Sequence, residues 1–299
     1  MTTATATKAD PRAAARPKVD AGEITVAHVS KAYGDRHFAT EVVRNCTMHI
    51  ERHKLTVIIG PSGCGKSTLI RLMAGFEKPS KGTISVDGKP VTGPGHDRLV
   101  LFQETALFPW MTTYDNIMYG PRARGIVTKE VKERAEFLLE KVGLRQFRAK
   151  YPSQLSGGMQ RRAELARAMI NDPRVMILDE PFRGLDHMSK QLMWEYYSAL
   201  FEEFHRTNCF VTTDIDEAIF LADRLLIMSN IPTQVRAVVE VDLPRPRKLT
   251  DVVESDRANE IKMEALEVLH KEAMRAFAGG SKAAADFVQA YTRRKSKPD

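Results

Sequence analysis

Cysteine is scarce: Cys46, Cys64 and Cys209 are the three in 299 residues. They are too few and too scattered for a disulfide framework or a zinc knuckle, which points to a reducing cytosol. Long apolar runs are missing too. The longest, such as "LTVIIG" and "RVMILD", are of strand length, far from the roughly 20 residues a membrane-spanning helix needs. The chain is therefore not expected to cross a bilayer by itself. Its beginning, "MTTATATKADPRAAARPKVD", has no apolar core of the kind that directs secretion. Its small, polar and proline residues bury little surface, so residues 1–20 are expected to form a disordered tail. A transit peptide fits less well, because Asp10 and Asp20 spoil the acid-poor composition. No internal repeat is visible.

What is present is the composition of a globular protein, 43% hydrophobic and 28% charged, long enough for one large domain plus an appendage. The net charge of +7 suits a diffuse basic surface as well as a nucleic-acid or anionic-lipid site, so charge alone assigns no partner.

Residues 21–60 read as short strands, "EITVAHVSKAY", "VVRNCTMHIER" and the wholly apolar "LTVIIG", before a glycine-rich turn and the helical run "KSTLIRLMAGF". Further strand-like pieces are "GTISVDG", "RLVLFQ", "RVMILD", "CFVTTD" and "RLLIMSN". Between Glu104 and Gly158 the pattern turns helical, most plainly in "TKEVKERAEFLLEKVGL". Strands separated by helices predict a mainly parallel sheet covered on both sides, with about 104–158 as a helical insertion. After Asn230, "PTQV" and "LPRPRK" read as turns or linker and "SDRANEIKMEALEVLHKEAMRAF" as a helix. The "AGGS" break is expected to precede a second short helix, and "TRRKSKP" to be solvated. The expected organisation is a tail at 1–20, a domain at 21–230 and a mostly helical extension at 231–299.

The stretch "GPSGCGKST", comprising Gly60, Pro61, Ser62, Gly63, Cys64, Gly65, Lys66, Ser67 and Thr68, satisfies G-x-x-x-x-G-K-[ST] between a strand and a helix. Glycines let successive N–H groups point at phosphate oxygens, and the helix N-terminus adds its positive end. Lys66 is placed to reach β and γ phosphates, and the Ser67 hydroxyl to bind Mg²⁺. A magnesium ion needs a second partner from a neighbouring strand. "RVMILDEP" supplies Asp179 for the metal and Glu180 to orient or deprotonate an attacking water. Two adjacent acids could alone be a helix cap; beside the loop at Gly60 they make the chain a nucleoside triphosphatase. "LSGGMQRRAELARAMI" then offers a second anion device, Ser156, Gly157 and Gly158 at the start of a helix whose Met159, Ala163, Ala166 and Met169 share a face. One nucleotide needs one cradle, so a second implies another anion or another chain.

"LSGGMQ" resembles the signature motif of ABC-transporter ATPases, and the resemblance covers about residues 23–230. It implies an α/β, P-loop (RecA-like) core with an antiparallel β subdomain and a helical subdomain insertion. It also implies a head-to-tail pair of subunits, as homodimer or heterodimer, with each ATP between one "GPSGCGKST" and the other's "LSGGMQ", Met159 included. Tyr33 in "SKAYGD" matches the aromatic that stacks on adenine, Gln103 in "LVLFQE" the glutamine that senses magnesium, and Arg183–Asp186, "RGLD", the loop that crosses the dimer interface. "GPGHDRLVLFQETALFPWMTTYDNI" is similar to the importer branch for nitrate, sulfonates and taurine. Trp110 there is either exposed near a permease contact or packed within the insertion. Implied partners are transmembrane permease subunits and, indirectly, an extracytoplasmic substrate-binding protein, with this chain on the cytoplasmic face of the cell membrane.

One position departs from the pattern. The strand after the glutamate usually ends "THD", and its histidine touches the γ-phosphate; "VTTDIDEAIFLADR" puts Thr213 there. Threonine donates a hydrogen bond but is shorter and uncharged, and losing a positioned contact to a transition state can cost about 10²–10³ in rate. Arg183, where the loop usually carries a small residue, is a second departure. His205 lies before the strand and is not expected to substitute. Three functions are therefore weighed: the ATP-hydrolysing subunit of a solute importer, a nucleotide-binding regulatory or assembly subunit with weak turnover, and a soluble relative acting on DNA or ribosomes. The last would carry two nucleotide domains or a long coiled coil, and neither is visible, so nucleic acid is not an expected partner.

Overall fold

The computed structural model describes residues 20–34 and 39–278. Residues 1–19 of the expected tail, the helix after "AGGS" and the basic ending lie outside the described residues. Two sheets organise the rest. The first is antiparallel, in the order β2-β1-β4-β5: β1 Ile24–Tyr33, β2 Thr40–Ile50, β4 Lys81–Val86 and the two-residue β5 Lys89–Pro90. The second runs β10-β9-β3-β8-β7-β6, from β3 Leu55–Ile59, β6 Arg98–Leu101, β7 Val175–Asp179, β8 Thr207–Thr212, β9 Arg224–Met228 and β10 Val235–Glu240. Its strands from β9 to β6 are parallel, and β10 is an antiparallel edge.

Parallel strands buried on both faces read as continuous apolar runs, and their period of two divides the core. Leu55, Val57 and Ile59 of β3, with Met176, Leu178, Phe210, Leu225 and Ile227, face one apolar cluster. Ile58, Val175, Ile177, Cys209, Val211, Leu226 and Met228 face the other. That second cluster is closed by α1 Lys66–Ala74 and the antiparallel sheet. The first is closed by α2 Thr113–Ala123 and α3 Lys129–Lys141 of the insertion, α4 Gly157–Met169, α5 His187–Phe204, α6 Ile215–Leu221 and, at the far end, α8 Asp256–Ala278. A short α7, Leu249–Val253, leads into α8.

The segment after Asn230 differs from the turn-and-linker expectation. Thr233 is fully buried, its N–H donating to Val42 O at 2.7 Å and its hydroxyl to Cys64 O, and β10 then extends the parallel sheet. Arg245 and Arg247 of "LPRPRK" are anchors. Arg245 pairs with Asp223 at 2.7 Å and Glu202 at 3.2 Å, and Arg247 is buried against five backbone carbonyls. The expected helix over "SDRANEIKMEALEVLHKEAMRAF" is α8, packed by Ala258, Ile261 and Ala265.

Candidate nucleotide-binding site

β3, buried at every residue, delivers the chain to the sheet edge where ligands of open α/β folds bind, and the turn from Gly60 to Gly65 follows. Gly63 and Gly65 have φ of 75° and 102°, the left-handed region that glycine enters without steric cost. A Cβ on Gly63 would meet nothing within 4 Å, so the tip of the loop is open, whereas one on Gly65 would strike the Thr233 hydroxyl. No side chain caps α1, which leaves its first N–H groups available to an anion. Lys66 is buried, its Nζ donating to Gly60 O at 2.8 Å and Pro61 O at 3.0 Å. The ammonium thus lies inside the curve of the loop. An unblocked loop of N–H donors around a held ammonium fits a polyphosphate.

Asp179 ends β7 and pairs in register with Val211 of β8, and Glu180 N–H donates to Val211 O at 2.9 Å. Glu180 has φ 42°, a backbone position that costs a non-glycine residue on the order of 1–3 kcal/mol and is concentrated at functional sites. Burial pushes the Asp179 carboxyl up from its ordinary value, the nearby Ser67 hydroxyl pulls it back, and the neighbouring Glu180 pushes it up again. The Ser67 hydroxyl, the half-buried Asp179 carboxylate and the Gln103 side-chain oxygen are the hard donors Mg²⁺ takes, and a cation would relieve the crowding of two acids.

Gln103 follows β6 and is exposed. Its main chain is fixed by α4: Arg161 donates to Gln103 O and, at 3.0 Å, to Phe102 O, while pairing at 2.7 Å with Glu164, which accepts from Ala106 N–H. Both side chains of this pair are buried. Sequence reasoning passed over Arg161 and Glu164, whose only signal is two opposite charges three apart on a helix that otherwise turns apolar residues inward.

Other expected residues fall in different places. Tyr33 sits at the end of β1, its hydroxyl donating to Glu77 Oε2 at 2.6 Å. Ser156 caps α4 by accepting from Met159 N–H at 3.3 Å. Ser156, Gly157, Gly158 and Met159 line a cleft of about 610 Å³ with Gly184, Leu185 and Asp186, and no phosphate-loop residue lines it. Within one chain the two cradles are therefore separate. Thr213 is exposed just beyond β8. His205 follows α5 at the opposite end of that strand and accepts from His53 through its backbone oxygen. Trp110 is 70% exposed. Arg183 Nη1 lies 3.2 Å from Glu180 Oε2 and 3.4 Å from Gln103 Oε1.

A P-loop core with an antiparallel sheet, a helical insertion and a Ser-Gly-Gly helix start set apart from the phosphate loop is the architecture of an ATP-binding cassette. The ABC transporter family matches residues 43–183. The nitrate import ATP-binding protein NrtD of Synechococcus elongatus is 40% identical over 232 residues, 77% of this chain and 85% of that protein. The aliphatic sulfonates import ATP-binding protein SsuB of Bacillus cereus is 38% identical over 227 residues, 76% of this chain and 89% of that one. Among solved structures, a dimeric bacterial ABC transporter cassette superposes with a TM-score of 0.64 at 27% identity, over 74% of this chain and 100% of the other. A dimeric cassette in a post-hydrolysis state with ADP and phosphate gives 0.63 at 26%, over the same shares. The chain belongs to the ABC transporter family as an ATP-binding, ATP-hydrolysing member. No helix among the described residues is long and apolar enough to cross a membrane.

Proposed function

We propose that this chain drives an importer for a small oxyanion, nitrate or an organic sulfonate such as taurine, through separate permease subunits. The observation that carries the reading is the convergence of Lys66 and Ser67, which open α1 directly after the glycine loop, with Asp179, which ends β7, and Glu180 next to it, at one sheet edge. In this reading Tyr33 stacks on adenine, and the backbone from Gly60 to Thr68 with Lys66 holds the phosphates. Ser67, Asp179 and Gln103 hold Mg²⁺, which supplies charge neutralisation on the β and γ phosphates. Glu180 accepts the proton of the attacking water. Ser156, Gly157, Gly158 and Met159 serve the nucleotide of a second ABC subunit, which accounts for their distance from Lys66.

A docking face for the permease is supported by aromatics beside Gln103. Phe76 and Phe102 stack at 5.9 Å, 48% and 45% exposed, and Trp110 and Tyr119 are exposed as well. Large apolar side chains gathered on a surface mark a contact. The solute class rests on the relatives named for nitrate and aliphatic sulfonates.

The exposed, uncharged Thr213 favours one second reading, a nucleotide-binding regulatory subunit with weak turnover. Steady-state MgATP hydrolysis beside Glu180→Gln separates the two. Turnover abolished by Glu180→Gln supports the motor, and equal, negligible rates support the regulator. Loss of nitrate or sulfonate uptake in cells carrying Glu180→Gln tests the solute.

A further inference from the structure

We infer that Arg183 is a positioning residue for hydrolysis: from the loop after Glu180 it supplies the cationic contact that Thr213 cannot. The inference rests on the ATPase reading of the same site.

Arg183 N–H donates to Glu180 O at 3.1 Å, a tight turn that folds the arginine back over the end of β7. Its Nη1 then reaches the Glu180 carboxylate at 3.2 Å and the Gln103 amide oxygen at 3.4 Å. These two side chains come from different strands and flank the place assigned to metal and water, and Arg183 joins them. Exposure says what the contact is for. The Glu180 side chain is 13% exposed and that of Arg183 62%, and an ion pair whose cation stands in solvent adds little to stability. Its effect is directional: a guanidinium with five N–H donors holds one carboxylate oxygen and keeps donors free on its open side.

Among the described residues, Lys66, Lys190, Arg161 and Arg71 are engaged elsewhere. Lys66 is held by the carbonyls of Gly60 and Pro61, Lys190 by Asp214 at 2.8 Å, Arg161 by Glu164, and Arg71 by Glu77 at 3.5 Å. β7 and β8 are adjacent and in register, so Glu180 and Thr213 leave the sheet at the same edge. Arg183 therefore holds Glu180 at the same edge of the sheet from which the residue at 213 emerges. The two departures from the family pattern, a cation gained in one loop and one lost in the next, offset each other.

The test is steady-state MgATP hydrolysis by the full chain, Arg183→Ala, Arg183→Lys, Thr213→His and the double variant Arg183→Ala/Thr213→His, with Glu180→Gln as the blank. Arg183→Ala is expected to lower kcat by about 10²–10³, as for loss of one positioned donor, with little change in KM for ATP. Arg183→Lys retains part of the rate, Thr213→His alone changes little, and the double variant recovers most of the loss. A merely structural arginine could not be repaired from position 213. Parental turnover in Arg183→Ala, or a loss that Thr213→His leaves unrepaired, overturns the inference and leaves the ATPase intact. A silent parent awakened by Thr213→His overturns it as well, since Arg183 would then supply nothing. If every variant is silent, the hydrolysis reading itself fails and takes the inference with it.

Discussion

The carboxylate of Glu272, in the last described helix, accepts a hydrogen bond from the backbone N–H of Asn230 at 3.1 Å. Three residues on, Thr233 holds Cys64 O in the phosphate loop. The helix and the loop are thus joined through one turn. Glu272 is 4% exposed, but its partners Arg236 and Arg275 are half-solvated, so its removal strands one backbone donor rather than a buried cation. Glu272→Ala should cost roughly 1–3 kcal/mol, read as a lower urea midpoint. Nucleotide titration should show weaker ATP binding. Glu272→Gln, which keeps an acceptor for Asn230, should lose less of both.

Arg161 and Glu164 form a buried pair that also carries the main chain at Gln103. Arg161→Met would leave the Glu164 carboxylate buried without its cation, at roughly 3–5 kcal/mol. Thermal unfolding should show a large drop. The double variant Arg161→Met/Glu164→Met should recover much of that stability, yet its ATP turnover should stay low because Gln103 has lost its anchor.

Glu217 gives a pH signature. Burial pushes its carboxyl up to about 7, against the hydroxyl of Thr212 and the Trp194 indole N–H at 2.7 Å, which pull it down. A carboxyl raised on folding binds protons more tightly in the folded state, so its stabilising effect is complete below the ordinary carboxylate range and fades as pH rises through about 7. Urea midpoints taken across that window should fall with rising pH. Glu217→Gln should flatten the slope.

Arg247 donates to the carbonyls of Ile219, Phe220 and Ala222 at the end of α6 and to those of Val241 and Leu243. Burial pulls it down to about 10, so it remains a cation at neutral pH, where it complements the negative end of α6. Arg247→Ala would strand several buried acceptors at about 1–3 kcal/mol each if none finds water, and global unfolding at ordinary growth temperature is the expected outcome, seen by circular dichroism. Arg247→Lys should not rescue it, because an ammonium cannot fork across two groups of carbonyls.

Arg245 and Arg247 mark where the sequence stops being informative. The parallel strands were legible because burial on both faces demands unbroken apolar runs such as "LTVII" and "VMILD". The phosphate loop was legible because its backbone needs glycine at positive φ. Arg245 and Arg247 look like linker in the sequence because their partners are largely main-chain carbonyls and acids distant in sequence, which leave no spacing to recognise. β10 is not legible because an edge strand with one buried residue, Val239, carries little apolar signal. At the site, Arg183 and Thr213 were visible as departures from a pattern. That Arg183 turns back onto Glu180 and Gln103 required the fold.

The central place of β3 has a consequence for how the protein is made. β3 lies between β8 and β9, and Thr233 rests against the loop that follows it. Residues of the phosphate loop are translated early, yet the strands that flank them arrive more than a hundred residues later. Closing contacts over such sequence separations is slow. A ribosome-bound chain halted before β8 carries the complete "GPSGCGKST" stretch but not the sheet that shapes it, so nucleotide binding should appear late in synthesis and report that the parallel sheet has closed.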